Sequence, residues 1–173
     1  MHHISLFRQS FIERLLQHHD VPDGEAESAA GEAFAAFLSQ RHQVVLYANA
    51  ESVLNTLGRQ YQLGALTNGN ADVRKTPIGS YFDYAWRAEE FGVSKPDPTL
   101  FHRAFDMAGV SADQVIHVGD CHDNDVSGAV SAGAKAIWYS PKGGVSEIAS
   151  GVVEELSGLP AAIEKLTGQK GSG

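Results

Sequence analysis

The spacing of apolar positions changes near residue 44. Before it, Ile4, Phe7, Phe11, Leu15 and Leu16 recur at helical intervals. Val21-Pro22-Asp23-Gly24 interrupts the pattern. Ala29, Ala33, Phe34, Phe37 and Leu38 then form an apolar stripe within a second segment from Ala26 to Leu38. The spacing predicts a helical hairpin. Beyond it, short apolar runs alternate with helical segments. Ser52 to Arg59 reads as a helix, and Tyr61 to Leu66 as a strand ending in Thr67-Asn68-Gly69-Asn70. Tyr84-Ala85-Trp86 is a second, shorter strand. Pro98 to Ala108 is a helix stopped by Gly109, and Ser111-Ala112-Asp113-Gln114 has the form of a capping box. Val115-Ile116-His117-Val118 is a third strand, running into Gly119-Asp120. Asp125 to Ala132 is a helix closed at Gly133, Ala134 to Tyr139 a fourth strand, and Ala161 to Leu166 a final helix. Gly168 to Gly173 is expected to fray. Strands alternating with helices predict an α/β fold, a parallel sheet with helices on both faces.

Composition narrows the function. Lys+Arg 13 against Asp+Glu 21 gives a net charge of −8 over 173 residues, and no Lys/Arg cluster appears. That balance argues against nucleic-acid or anionic-membrane partners. A small phosphorylated metabolite stays open, because one metal ion and one lysine can meet its charge locally. No apolar run is long enough to span a bilayer, and Met1-His2-His3-Ile4-Ser5 has no signal-peptide pattern. Cys121 is the only cysteine. No intramolecular disulfide can form, and a reducing, cytoplasmic setting is expected.

Ligands of open parallel sheets bind at the carboxyl ends of strands, and three polar groups fall there. In Leu66-Thr67-Asn68-Gly69-Asn70, a hydroxyl and backbone N–H groups could hold a phosphate oxygen. The same residues also make an ordinary capped turn. In Gly92-Val93-Ser94-Lys95-Pro96-Asp97-Pro98, the proline restrains Lys95, whose ammonium could meet a phosphoryl group. A surface lysine before a proline-started helix is the plainer alternative. In Val118-Gly119-Asp120-Cys121-His122-Asp123-Asn124-Asp125, carboxylates past a buried strand suit Mg²⁺, with Asp120 as direct ligand and Asp125 orienting the shell. A calcium loop starting at Asp123 fails, because Ala134 stands where a bidentate Glu belongs. The adjacent pairs His2-His3 and His18-His19 do not share a helix face, which disfavours zinc. His117 reads as packed within its strand, His122 as a residue that could touch substrate, and Cys121 as a spectator.

The order and spacing of these stretches carry more than any one of them. Thr67-Asn68-Gly69, then Ser94-Lys95-Pro96-Asp97-Pro98, then Gly119-Asp120-Cys121-His122-Asp123-Asn124-Asp125 resembles motifs two, three and four of the haloacid-dehalogenase superfamily. The stretches Arg8–Glu13, Thr67–Ala71 and Arg87–Gly92 are similar to the phosphatases of that superfamily that act on a flavin-biosynthesis intermediate. The resemblance implies a Rossmann-like core over residues 44–173, with residues 1–43 as part of a helical cap. It implies a Mg²⁺-dependent phosphatase that works through an aspartyl-phosphate. Thr67, Asn68, Gly69 and Lys95 would bind the phosphoryl group, Lys95 would assist catalysis, and Asp120 and Asp125 would serve the metal. Haloacid dehalogenation is the alternative chemistry on this fold.

One departure changes the expectation. The superfamily's first strand carries Asp-x-Asp-x-Thr, and none is found in this sequence. The resemblance therefore reads as N-terminally truncated, with the central first strand, the nucleophile and the acid/base Asp all missing. The inner strand edges would then be unpaired, at about 1–3 kcal/mol per stranded group. The expectation is negligible turnover and a fold that is marginal or completed by a partner chain supplying the strand. A noncatalytic phosphate- or metal-binding module, or an interaction module, remains open beside the enzyme.

Overall fold

In the computed structural model, which describes residues 4–168, the chain opens with helices α1 (Ile4–His18) and α2 (Asp23–His42). The His2-His3 pair and the Gly/Ser tail from residue 169 lie outside the described residues. The hairpin turns at Asp20, whose φ of 62° is left-handed, a conformation that Asp adopts more readily than most residues. Asp23 and Glu25 in the first turn of α2, and Arg41 and His42 in its last, complement the helix dipole. The expected apolar stripe is shifted. Ala26, Ala30 and Phe34 are the buried line of α2, one face at i, i+4, i+8, whereas Ala29 and Ala33 are exposed. On α1, Phe7, Phe11 and Leu15 face outward at 71%, 60% and 49% exposure.

The core follows as α3 (Ala50–Gly58), β1 (Gly64–Thr67), β2 (Tyr84–Arg87), α4 (Ala88–Phe91), α5 (Pro98–Ala108), β3 (Ile116–Gly119), α6 (Gly128–Ser131), β4 (Lys135–Tyr139), β5 (Gly151–Val153) and α7 (Leu159–Thr167). Local chemistry sets the ends of α5. Pro98 opens it, Asp97 accepts from Thr99 N at 2.9 Å, and Gly109 closes it at φ 70°. The residues from His122 to Ser127 form a wide π turn rather than the regular helix expected from Asp125. Such turns gather at functional sites.

All strand pairs are parallel. β1 pairs with β2, with Thr67 opposite Arg87. β3 pairs with β4, which pairs with β5. Among the described residues, no strand pairing joins β1 to β3, so the parallel strands form two sheets. β4 shows why helices cover both faces. Ala136 faces a cluster with Phe101, Phe105 and Val126, while its neighbour Ile137 faces Val53, Leu57, Leu159 and Ile163. Alternation along a strand sends successive side chains to opposite faces. A strand buried on both sides then reads as the continuous run Ala136-Ile137-Trp138-Tyr139.

Candidate active site

β1 ends at Thr67, and its loop turns at once. Thr67 Oγ1 accepts from Gly69 N at 2.9 Å. This leaves the hydroxyl hydrogen free to donate outward. Asn68 spends its amide on the backbone of Lys95. Its Oδ1 accepts from Lys95 N at 2.8 Å, and its Nδ2 donates to Lys95 O at 3.0 Å. These two bonds fix the loop before α5 against the end of β1, and the Lys95–Pro96 peptide within it is cis.

The Lys95 side chain crosses between the two sheets. Nζ donates to Leu66 O of β1 at 2.9 Å and to Asp125 Oδ1 at 2.5 Å. Both side chains are largely buried, at 11% and 6% exposure. An ammonium has three donors, so one is left over. Both oxygens of Asp125 are engaged. Its Oδ1 also lies 3.1 Å from His117 Nε2, and its Oδ2 accepts from Cys121 N at 3.0 Å. A carboxylate can only accept, so His117 carries its proton on Nε2 in this contact. Burial opposes ionisation of Asp125. The hydrogen bonds from His117 and Lys95, the Lys95 charge and the Cys121 N–H outweigh it, and hold the carboxyl well below the usual carboxylate range.

Gly119 makes this packing fit. A Cβ on it would overlap the Asp125 carboxylate. Phe101 of α5 closes the far side, its ring edge-on to His117 at 5.1 Å. Sequence reasoning left His117 as a packed residue. The signal for its contact is alternation, which turns residue 117 toward the same face as Phe101.

Asp120 sits at the exposed lip of β3, one residue before the Cys121 N–H that Asp125 holds. Its carbonyl accepts from Trp138 Nε1 at 3.0 Å. His122 is tied to Ser146 Oγ at 2.8 Å and lies edge-on to Trp138. Cys121 Sγ accepts from Asn124 N at 3.4 Å. Among the described residues, no cluster of three His, Cys, Asp or Glu could cage a metal by itself. The donor chemistry suits Mg²⁺ held by one carboxylate and waters: Asp120 is available, whereas the Asp125 oxygens are engaged by protein donors. The structure thus joins Asn68, Lys95 and Asp125 in one contact network, with the Thr67 hydroxyl bonded to Gly69 N in the same loop and Asp120 exposed one residue before Cys121. A cleft of about 250 Å³ adjoins Thr67, lined in part by Val44, Leu66, Asp72, Arg87 and Glu90.

Comparison with known proteins bears on this geometry. The family model described as haloacid dehalogenase-like hydrolase matches residues 1–133. The 5-amino-6-(5-phospho-D-ribitylamino)uracil phosphatase YigB of Escherichia coli is 30% identical over 83% of this chain and 60% of its own length. The phosphoserine phosphatase of Thermus thermophilus is 34% identical over 74% of this chain and 54% of its own. The chain thus spans only part of these curated relatives. Among solved structures, a 2-haloacid dehalogenase from Pseudomonas syringae pv. tomato superposes with a TM-score of 0.90 at 37% identity, over 95% of this chain and 73% of that one.

Proposed function

Because this chain belongs to the haloacid dehalogenase-like hydrolase family, we propose that it carries the phosphoryl-binding part of a phosphomonoester hydrolase acting on a small phosphorylated metabolite. The observation that carries this reading is Lys95 Nζ, fixed between Leu66 O and Asp125 with one N–H to spare, at the end of the strand that Thr67 closes. A fixed ammonium and hydroxyl meet developing phosphoryl charge without reorganising. Asn68 acts here by positioning Lys95. Asp120 would hold Mg²⁺, which would neutralise charge so that two anions can approach. YigB and the phosphoserine phosphatase support two substrate types, a flavin precursor and an amino-acid phosphate.

The aspartyl-phosphate route needs a carboxylate whose oxygen attacks phosphorus and a second acid that protonates the departing ester oxygen. No Asp-x-Asp-x-Thr occurs in the 173 residues, so these residues alone bind phosphate esters with negligible turnover. The test assays the purified chain with Mg²⁺ and an aryl phosphate, and measures inorganic phosphate binding in parallel. Saturable binding that Lys95→Ala removes, without turnover, is expected. Turnover abolished by Asp120→Ala would overturn the inactivity, and absence of binding would overturn the phosphoryl site.

The Pseudomonas syringae match favours one second reading, dehalogenation of a 2-haloacid. Halide release from 2-chloropropionate by the protein that carries the nucleophile, unaffected by a chelator, would select it over phosphate release.

A further inference from the structure

Two guanidinium groups lie over the loop after β1, and the reading above uses neither. Arg8 of α1 donates from Nη1 to Asn70 Oδ1 at 3.4 Å. Its Cζ stands 5.1 Å from the centre of the Phe37 ring. Arg41, in the last turn of α2, stands 5.7 Å from the same ring. Its Nη2 is 3.6 Å from the point where a Cβ on Gly69 would sit, and Thr67 Oγ1 is 3.2 Å from that point. Both cations therefore converge on Gly69-Asn70. Among the described residues, neither has a carboxylate within ion-pair distance. Asn70 is 1% exposed, and its Nδ2 has no hydrogen-bond partner.

A buried amide N–H with no acceptor is costly and rare. Two like charges brought to one loop repel unless an anion joins them. The face of an aromatic ring is a weaker partner for a guanidinium than an oxyanion is. One oxyanion would answer all three groups, since guanidinium matches carboxylate and phosphate through paired N–H bonds. Gly69 leaves open the space between this anion and the Thr67 hydroxyl.

We propose that Arg8, Arg41 and Asn70 bind a second oxyanion of the substrate, a carboxylate or second phosphate, on the part that leaves when the phosphoryl group is cleaved. The proposal rests on the phosphomonoester reading and narrows it. Of the two substrate types above, the amino-acid phosphate carries such a group and the ribitylaminouracil phosphate does not.

The experiment compares 3-phosphoglycerate with glycerol 3-phosphate, which differ by one carboxylate, in equilibrium binding to the full chain by calorimetry. A bisphosphorylated glycerol in a further arm tells a carboxylate preference from a second-phosphate preference. The esters that carry a second anionic group should bind about tenfold more tightly than glycerol 3-phosphate. Arg8→Gln and Arg41→Gln should each reduce that preference and together erase it, leaving glycerol 3-phosphate affinity unchanged. Arg8→Lys should restore part of it. Lys95→Ala should weaken every ester alike, which separates the phosphoryl reading from this one. Equal affinities of wild type for all three esters would overturn the second-anion site and leave the phosphoryl site standing. Failure of every ester to bind would overturn both.

Discussion

Lys95 and Asp125 show how one pair can serve structure and chemistry together. Neither charge is stable in a buried setting alone. Each is stable here because the two pair with each other and with Leu66 O, His117 and Cys121 N. Removing one partner strands the other. Lys95→Met should destabilise the fold by about 3–5 kcal/mol, read as a shift in the urea midpoint. Lys95→Met with Asp125→Leu should recover much of that loss, because it leaves no stranded charge. A double variant as unstable as the single one would contradict this account. Asp125 also illustrates the reach of sequence reading. Its type and place after β3 suggested a site, but its partners are His117 of β3, Cys121 N just after it and Lys95 of the loop before α5. No local pattern displays that convergence.

The approach of α5 to α6 depends on a missing side chain. A Cβ on Gly128 would lie 2.6 Å from Phe101 Cε2 and 3.1 Å from Pro96 Cα. Gly128→Ala must therefore push α6 away from both the core and the Lys95 loop. We expect a loss of about 1–3 kcal/mol by chemical denaturation, with weaker phosphate binding. An unchanged midpoint would show that the helices can part freely. Elements with strong local signals were legible in advance. α5 has proline, cap and glycine at its ends, and β4 has its apolar run. β5 was not, because Gly151-Val152-Val153 is three residues long and opens on a glycine. The π turn from His122 to Ser127 overlaps the predicted helix only from Asp125, because a single wide turn leaves no periodicity of its own. The α1–α2 hairpin was legible as helices but not by burial, since Phe7, Phe11 and Leu15 of α1 face outward.

At the scale of the molecule, the buried carboxylate links folding to pH. Asp125 has a lowered pKa in the fold and an ordinary one near 3.9 when unfolded. The unfolded state then binds the proton more readily, so Asp125 stabilises the fold above about pH 4, and that contribution fades as pH falls toward its lowered value. The stability gap between wild type and Asp125→Asn should be constant from about pH 5 to 7 and shrink below about pH 4. Urea midpoints across that range check it, and a gap that does not shrink would refute the linkage. Among the described residues, no helix is long and apolar enough to cross a membrane.

The indole of Trp138 donates to the carbonyl of Asp120, and its ring lies against His122. Its fluorescence is therefore an intrinsic optical gauge of the rim of the site. With Trp86 replaced by Phe, an ion taken up at Asp120 on adding Mg²⁺ would show as a change in emission, with no dye attached and no substrate consumed.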